Sequence, residues 1–65
     1  MNQQKLEQRL AEAVRAACLK AAQNAYENAG ISGLCQDGRW ECAIAAIRSL
    51  DLESVITALP GGYRK

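Results

Sequence analysis

The chain has 65 residues, 49% of them hydrophobic, with 8 Lys or Arg against 7 Asp or Glu, a net charge of +1 and no histidine. That length allows one domain over residues 1–65 and no second core, and chains this short bury only about 60% of their unfolded surface and draw roughly 3–5 kcal/mol from their cores. The interleaved charges leave no basic stripe for nucleic acid or an anionic membrane, no apolar run approaches the roughly 20 residues of a membrane span, and Met1-Asn2-Gln3-Gln4-Lys5 opens no signal-type segment, so a cytoplasmic location is expected.

Residues 3–29 predict one long helix. Leu6, Leu10, Ala13, Val14, Ala17, Cys18, Ala21 and Ala25 recur at three- and four-residue steps and fall on one face. Alanine is the strongest helix former, and neither Pro nor Gly interrupts the run. Glu12 lies three residues from both Arg9 and Arg15, a spacing for weak ion pairs on the outer face. The apolar arc is narrow at Leu6, Leu10 and Val14 and widens beyond Ala16, where Leu19, Ala22 and Tyr26 add a second row; a wider arc implies contacts on two sides. Gly30 is the expected stop, because glycine takes the left-handed conformation without steric cost.

Two arrangements suit the next stretch. Ser32 can cap a short helix over 33–37 closed by Gly38, or the first helix can bend through Gly30 and continue to Asp37. Gly38-Arg39-Trp40-Glu41 is then expected to reverse the chain, the glycine breaking one helix and the tryptophan opening the next. Trp40, Ala43, Ile44, Ile47 and Leu50 share a helical face over 39–50, and Trp40 is expected to seal the hairpin corner against Tyr26 or Leu34. Asp51 is a strong N-cap for a last helix with Leu52, Val55, Ile56 and Leu59 on its apolar face. Pro60-Gly61-Gly62 should end that helix, leaving residues 61–65 as a flexible tail. The fold class is therefore all-α, a long N-terminal helix with two or three short helices folded back on it.

Lengths within that arrangement do not match. A helix over 3–29 spans about 40 Å and one over 39–50 about 18 Å. The short helices are thus expected to cover the C-terminal half of the long one and leave Leu6, Leu10 and Val14 open. A second copy or a larger protein partner is the simplest cover, with Ala13 and Ala17 allowing close approach. Leu6, Leu10, Ala13, Val14 and Ala17 are the candidate interface, and Tyr26, Gly30, Leu34, Gly38 and Trp40 the structural corner.

Catalytic and metal motifs are missing from the residues. Without histidine there is no imidazole base, and no Gly-x-Ser-x-Gly elbow or phosphate-cradling glycine loop occurs. Cys18, Cys35 and Cys42 form no Cys-x-x-Cys pair, and a zinc site would need Asp37 or Glu41 as its fourth ligand. Their simplest role is as small buried hydrophobes, with Cys35 the most open because it lies near a turn. No catalytic residue, cofactor or metal is assigned.

Two local resemblances bear on partners. Gly38-Arg39-Trp40-Glu41-x-Ala43-Ile44-x-Ala46-Ile47 resembles the middle of a tetratricopeptide repeat, where a Gly-x-aromatic turn leads into a second helix; a single repeat cannot bury its faces alone, so a generic helical hairpin answers the same packing problem. Ala29-Gly30-Ile31-Ser32 resembles the turn of a helix-turn-helix. Gly38 would then sit inside the recognition helix at a cost of about 1 kcal/mol, with Arg39 the one cation there, which argues against DNA.

Across roughly 18–56, the run from Cys18-Leu19-Lys20-Ala21-Ala22 through Tyr26-Glu27-Asn28-Ala29-Gly30-Ile31-Ser32-Gly33-Leu34-Cys35-Gln36-Asp37-Gly38-Arg39-Trp40-Glu41-Cys42 to Ile47-Arg48-Ser49-Leu50-Asp51-Leu52 resembles a group of very short bacterial proteins, mainly proteobacterial, that carry the name acetyltransferase. The resemblance implies acetyl transfer. The residues themselves contain no Arg/Gln-x-x-Gly-x-Gly/Ala loop between a strand and a helix to hold the coenzyme A pyrophosphate, and Gly30-Ile31-Ser32-Gly33 has another spacing. From the residues, the expected function is a small interaction or regulatory protein acting by self-association or as an accessory subunit.

Overall fold

A computed structural model describes residues 3–59, in which three helices follow one another: α1 (Gln3–Ile31), α2 (Gln36–Arg48) and α3 (Leu52–Thr57). No strand occurs among the described residues, and the fold is a small all-α bundle. The expected stop at Pro60-Gly61-Gly62 and the tail over 61–65 lie outside the described residues.

α1 runs two residues further than its first glycine predicts. Gly30 remains helical, and the helix is closed by Gly33, whose φ of 90° is the positive value that glycine tolerates. Leu34 N–H donates to the Ala29 carbonyl and Gly33 N–H to the Gly30 carbonyl, both at 3.0 Å. This 6→1 and 5→2 pair is a Schellman closure, so the last carbonyls of α1 are satisfied by the turn itself.

The turn also removes the separate helix considered for 33–37. Cys35 is the N-cap of α2, in an extended conformation and without a side-chain capping bond, and its carbonyl accepts from Arg39 N–H at 2.9 Å. Gly38 therefore sits in the first turn of α2 rather than breaking a helix. The reversal is made by residues 32–35, and Gly38 serves close packing instead, because a Cβ built on it would lie 3.3 Å from Leu34 Cβ. α2 starts earlier and ends earlier than the predicted 39–50: Ser49 closes it, its hydroxyl donating to the Ala45 carbonyl at 3.0 Å.

Asp51 caps α3 as its sequence position predicts. Ser54 Oγ donates to Asp51 Oδ2 at 2.6 Å and Ser54 N–H to Oδ1 at 3.3 Å. These bonds, the hydroxyl first, hold the Asp51 carboxyl below its ordinary pKa, since both stabilise the charged form. The expected surface pair is present too, with Arg15 Nη1 at 3.4 Å from Glu12 Oε2.

α1 and α2 form an antiparallel hairpin whose seam is built from small side chains. Ala29 and Ala43, 5% and 6% exposed, are the buried residues of the hydrophobic core among the described residues. A buried methyl contributes only about 0.8 kcal/mol, against roughly 1.5–3 kcal/mol for a buried Leu, Ile or Val. An alanine seam lets the backbones approach but leaves no room between them for the larger side chains. These are displaced to the flanks, where Leu19, Trp40 and Ile47 stand 58%, 62% and 38% exposed.

The molecule is elongated because α1, at 29 residues, spans about 43 Å by itself. Its principal extents are 48 × 16 × 15 Å and its radius of gyration is 14.7 Å, where a compact chain of this length would have about 11 Å. Its accessible surface is 5051 Å², against about 4,000 Å² expected for a compact monomer of this mass.

Candidate interaction surfaces

At the end of the hairpin, Arg39 lies beside Tyr26, Gly30 and Leu34, and Gly38 lies against Leu34. Arg39 leaves the first turn of α2 and lies back over the end of α1. Its Nε donates to the Leu34 carbonyl at 3.1 Å, and its guanidinium carbon stands 5.9 Å from the centroid of the Tyr26 ring, within cation–π range. A Cβ on Gly30 would lie 3.2 Å from that same carbon. Gly30 is thus the floor on which the guanidinium rests, and the space it leaves explains a glycine within a helical turn.

Trp40 does not seal this corner. It is 62% exposed and forms one wall of an open groove of about 260 Å³ shared with Ala22, Gln23, Tyr26, Glu27 and Ala43. The seam at this point is filled by alanine, so the indole lies across its edge. A neighbouring groove on the outer side of α2 is lined by Trp40, Glu41, Ile44 and Arg48.

The antiparallel register joins these grooves into one face. Tyr26 and Trp40 stand across from each other. Two helical turns back along α1 from Tyr26 is Leu19, and two turns forward along α2 from Trp40 is Ile47. The row of Leu19, Ala22 and Tyr26, marked in the sequence by the widening of the arc, thus borders the outer face of α2.

The candidate interface of the N-terminal half has a different setting. Leu6, Leu10, Ala13, Val14 and Ala17 are all half-buried. Ala13 and Ala17 line a cleft of about 440 Å³ with Ser54, Val55, Ala58 and Leu59, and Leu59 also borders Lys5, Gln8, Arg9 and Glu12. The α3 segment therefore reaches the N-terminal half of α1, beyond the cover expected from helix lengths. Its hold is light, because α3 has no buried residue.

Cys18 and Cys42 are half-buried rather than buried and Cys35 is exposed, all three as free thiols. No three His, Cys, Asp or Glu side chains gather into a metal-binding group among the described residues, and no helix there is long and apolar enough to cross a membrane. What the arrangement offers chemically is apolar surface framed by charged side chains. No family model, curated protein or solved structure matches the chain.

Proposed function

We propose that this chain is a small helical interaction protein that acts by self-association or as an accessory subunit of a larger protein. The observation that carries this is the mismatch between core and surface. Among the described residues, two alanines form the buried hydrophobic core while Leu19, Ile31, Leu34, Trp40, Ile47 and Leu52 remain exposed. Its surface exceeds the compact expectation by about 1,000 Å², and a stable protein–protein interface removes about 800 Å² from each partner. The surplus is therefore of the size that one partner would cover.

Sedimentation equilibrium over a wide concentration range tests the self-associating form directly. A dimer at micromolar concentration supports it. A monomer throughout turns the question to a larger protein, found by capture from the native host and confirmed by a defined stoichiometry with the purified partner. Calorimetric titration with acetyl-CoA checks the chemistry implied by the bacterial resemblance, and micromolar binding with a defined stoichiometry would displace the interaction role.

A further inference from the structure

Self-association leaves open which face is used, and the charge order along α2 bears on that choice. Asp37 lies in the first turn and Arg48 in the last. Glu41 and Arg48, both exposed, frame the groove that holds Trp40 and Ile44. The outer face of α2 thus reads acidic, apolar, basic along its length, with Ile44 near the middle.

Such a face is complementary to itself in one orientation. If two copies of α2 cross antiparallel, with a two-fold axis near Ile44, Glu41 of each copy approaches Arg48 of the other, and Trp40 meets the Ile47 and Arg48 end of its counterpart. A parallel crossing would set Glu41 against Glu41 and Arg48 against Arg48. A two-fold contact uses the same patch twice, so each favourable pair occurs twice.

We propose that two copies of this chain associate through the outer face of α2, antiparallel about an axis near Ile44, with Ile44 and Ile47 as the apolar centre, Glu41–Arg48 pairs flanking it and Trp40 closing each end. The inference rests on the self-association reading above and specifies its surface. Tyr26 faces Trp40 across the seam and Leu19 lies two turns further along α1, so the apolar surface continues from α2 onto α1. Ile44 is half-buried as Leu10 is; what sets the α2 face apart is the exposed Trp40 and Ile47 beside it.

The test is analytical ultracentrifugation of the full chain with two sets of variants, helicity being checked by circular dichroism. Ile44→Glu should leave a helical monomer, whereas Leu10→Asp should leave the dimer intact. Glu41→Arg and Arg48→Glu should each weaken association about tenfold by placing like charges together, and the Glu41→Arg/Arg48→Glu double variant should restore it. These two side chains are exposed, so their replacement tests the contact even if Ile44→Glu fails to fold. A wild-type dimer dissociated by Leu10→Asp but untouched by the α2 variants would overturn the surface while sparing self-association. A double variant no better than the singles would overturn the antiparallel arrangement. A wild-type chain that stays monomeric to millimolar concentration would overturn the homodimer altogether.

Discussion

The two halves of α1 carry apolar stripes of similar spacing and meet different neighbours. In the N-terminal half, Leu6, Leu10 and Val14 are half-buried on a stretch that α3 reaches. In the C-terminal half, a full helix packs alongside, yet Leu19 remains 58% exposed. Packing against α2 does not cover the large side chains there because the seam is occupied by alanines. The stripe itself is half-buried in both halves, and it is the second row beside it, at Leu19, that the hairpin leaves exposed.

The sharpest way to break the comparison is to place a charge on each stripe. Ile44→Glu on the outer face of α2 should lower the association constant by about 100-fold or more, since it buries an unpaired carboxylate. Leu10→Asp should change it by less than about threefold. Equal losses at both positions would mean that the two surfaces belong to one interface.

The hairpin turn comes next in expected size. Gly33→Val should destabilise the fold by about 2 kcal/mol, because a β-branched residue is strained at a φ of 90°. Gly30→Ala should cost less than that: it displaces the flexible end of Arg39, and the added helix propensity returns up to about 1 kcal/mol. Thermal melts followed by circular dichroism at one fixed protein concentration separate the two glycines, and equal effects would contradict their different roles.

Arg39→Ala should cost about 1 kcal/mol by removing the bond to the Leu34 carbonyl and the contact with Tyr26. Arg39→Lys should recover only part of it, because an ammonium lacks the planar reach to both groups. Urea titration is the suitable measurement, with the loss expected at the hairpin rather than in the N-terminal half of α1.

The smallest effect concerns α3. Asp51 has a folded pKa below its unfolded value, so its stabilising contribution is present above the ordinary carboxylate range and is lost as pH falls through the lowered pKa. Acidification should therefore release α3 before the hairpin melts, seen as a small early loss of helical signal. In Asp51→Ala that early step should be absent, because the cap is already missing at neutral pH. An unchanged acid profile in the variant would mean that another carboxylate controls the step.

Periodicity made α1, the apolar face of α2 and the Asp51 cap readable from the residues alone, since each depends on neighbours a few positions away. The turn was less readable because three glycines fall between 30 and 38 and all look alike locally. Gly33 takes the positive φ; Gly30 and Gly38 give room to Arg39 and Leu34. That division depends on contacts across the hairpin, which spacing does not report. Trp40 misled for a related reason, because its place on the apolar face of α2 does not reveal that alanines fill the seam. The one sequence sign of the outer surface was the second row of Leu19, Ala22 and Tyr26, and its partners became visible only once the antiparallel register was known.

The chain contains a single tryptophan, and it lies within the proposed contact, 62% exposed in the isolated chain. Its fluorescence on serial dilution is the most direct measurement of the central claim. Emission should be blue-shifted at high concentration and move to the red on dilution, over the same range in which sedimentation reports dissociation. A spectrum that keeps the emission of an exposed indole while the dimer forms would contradict the account.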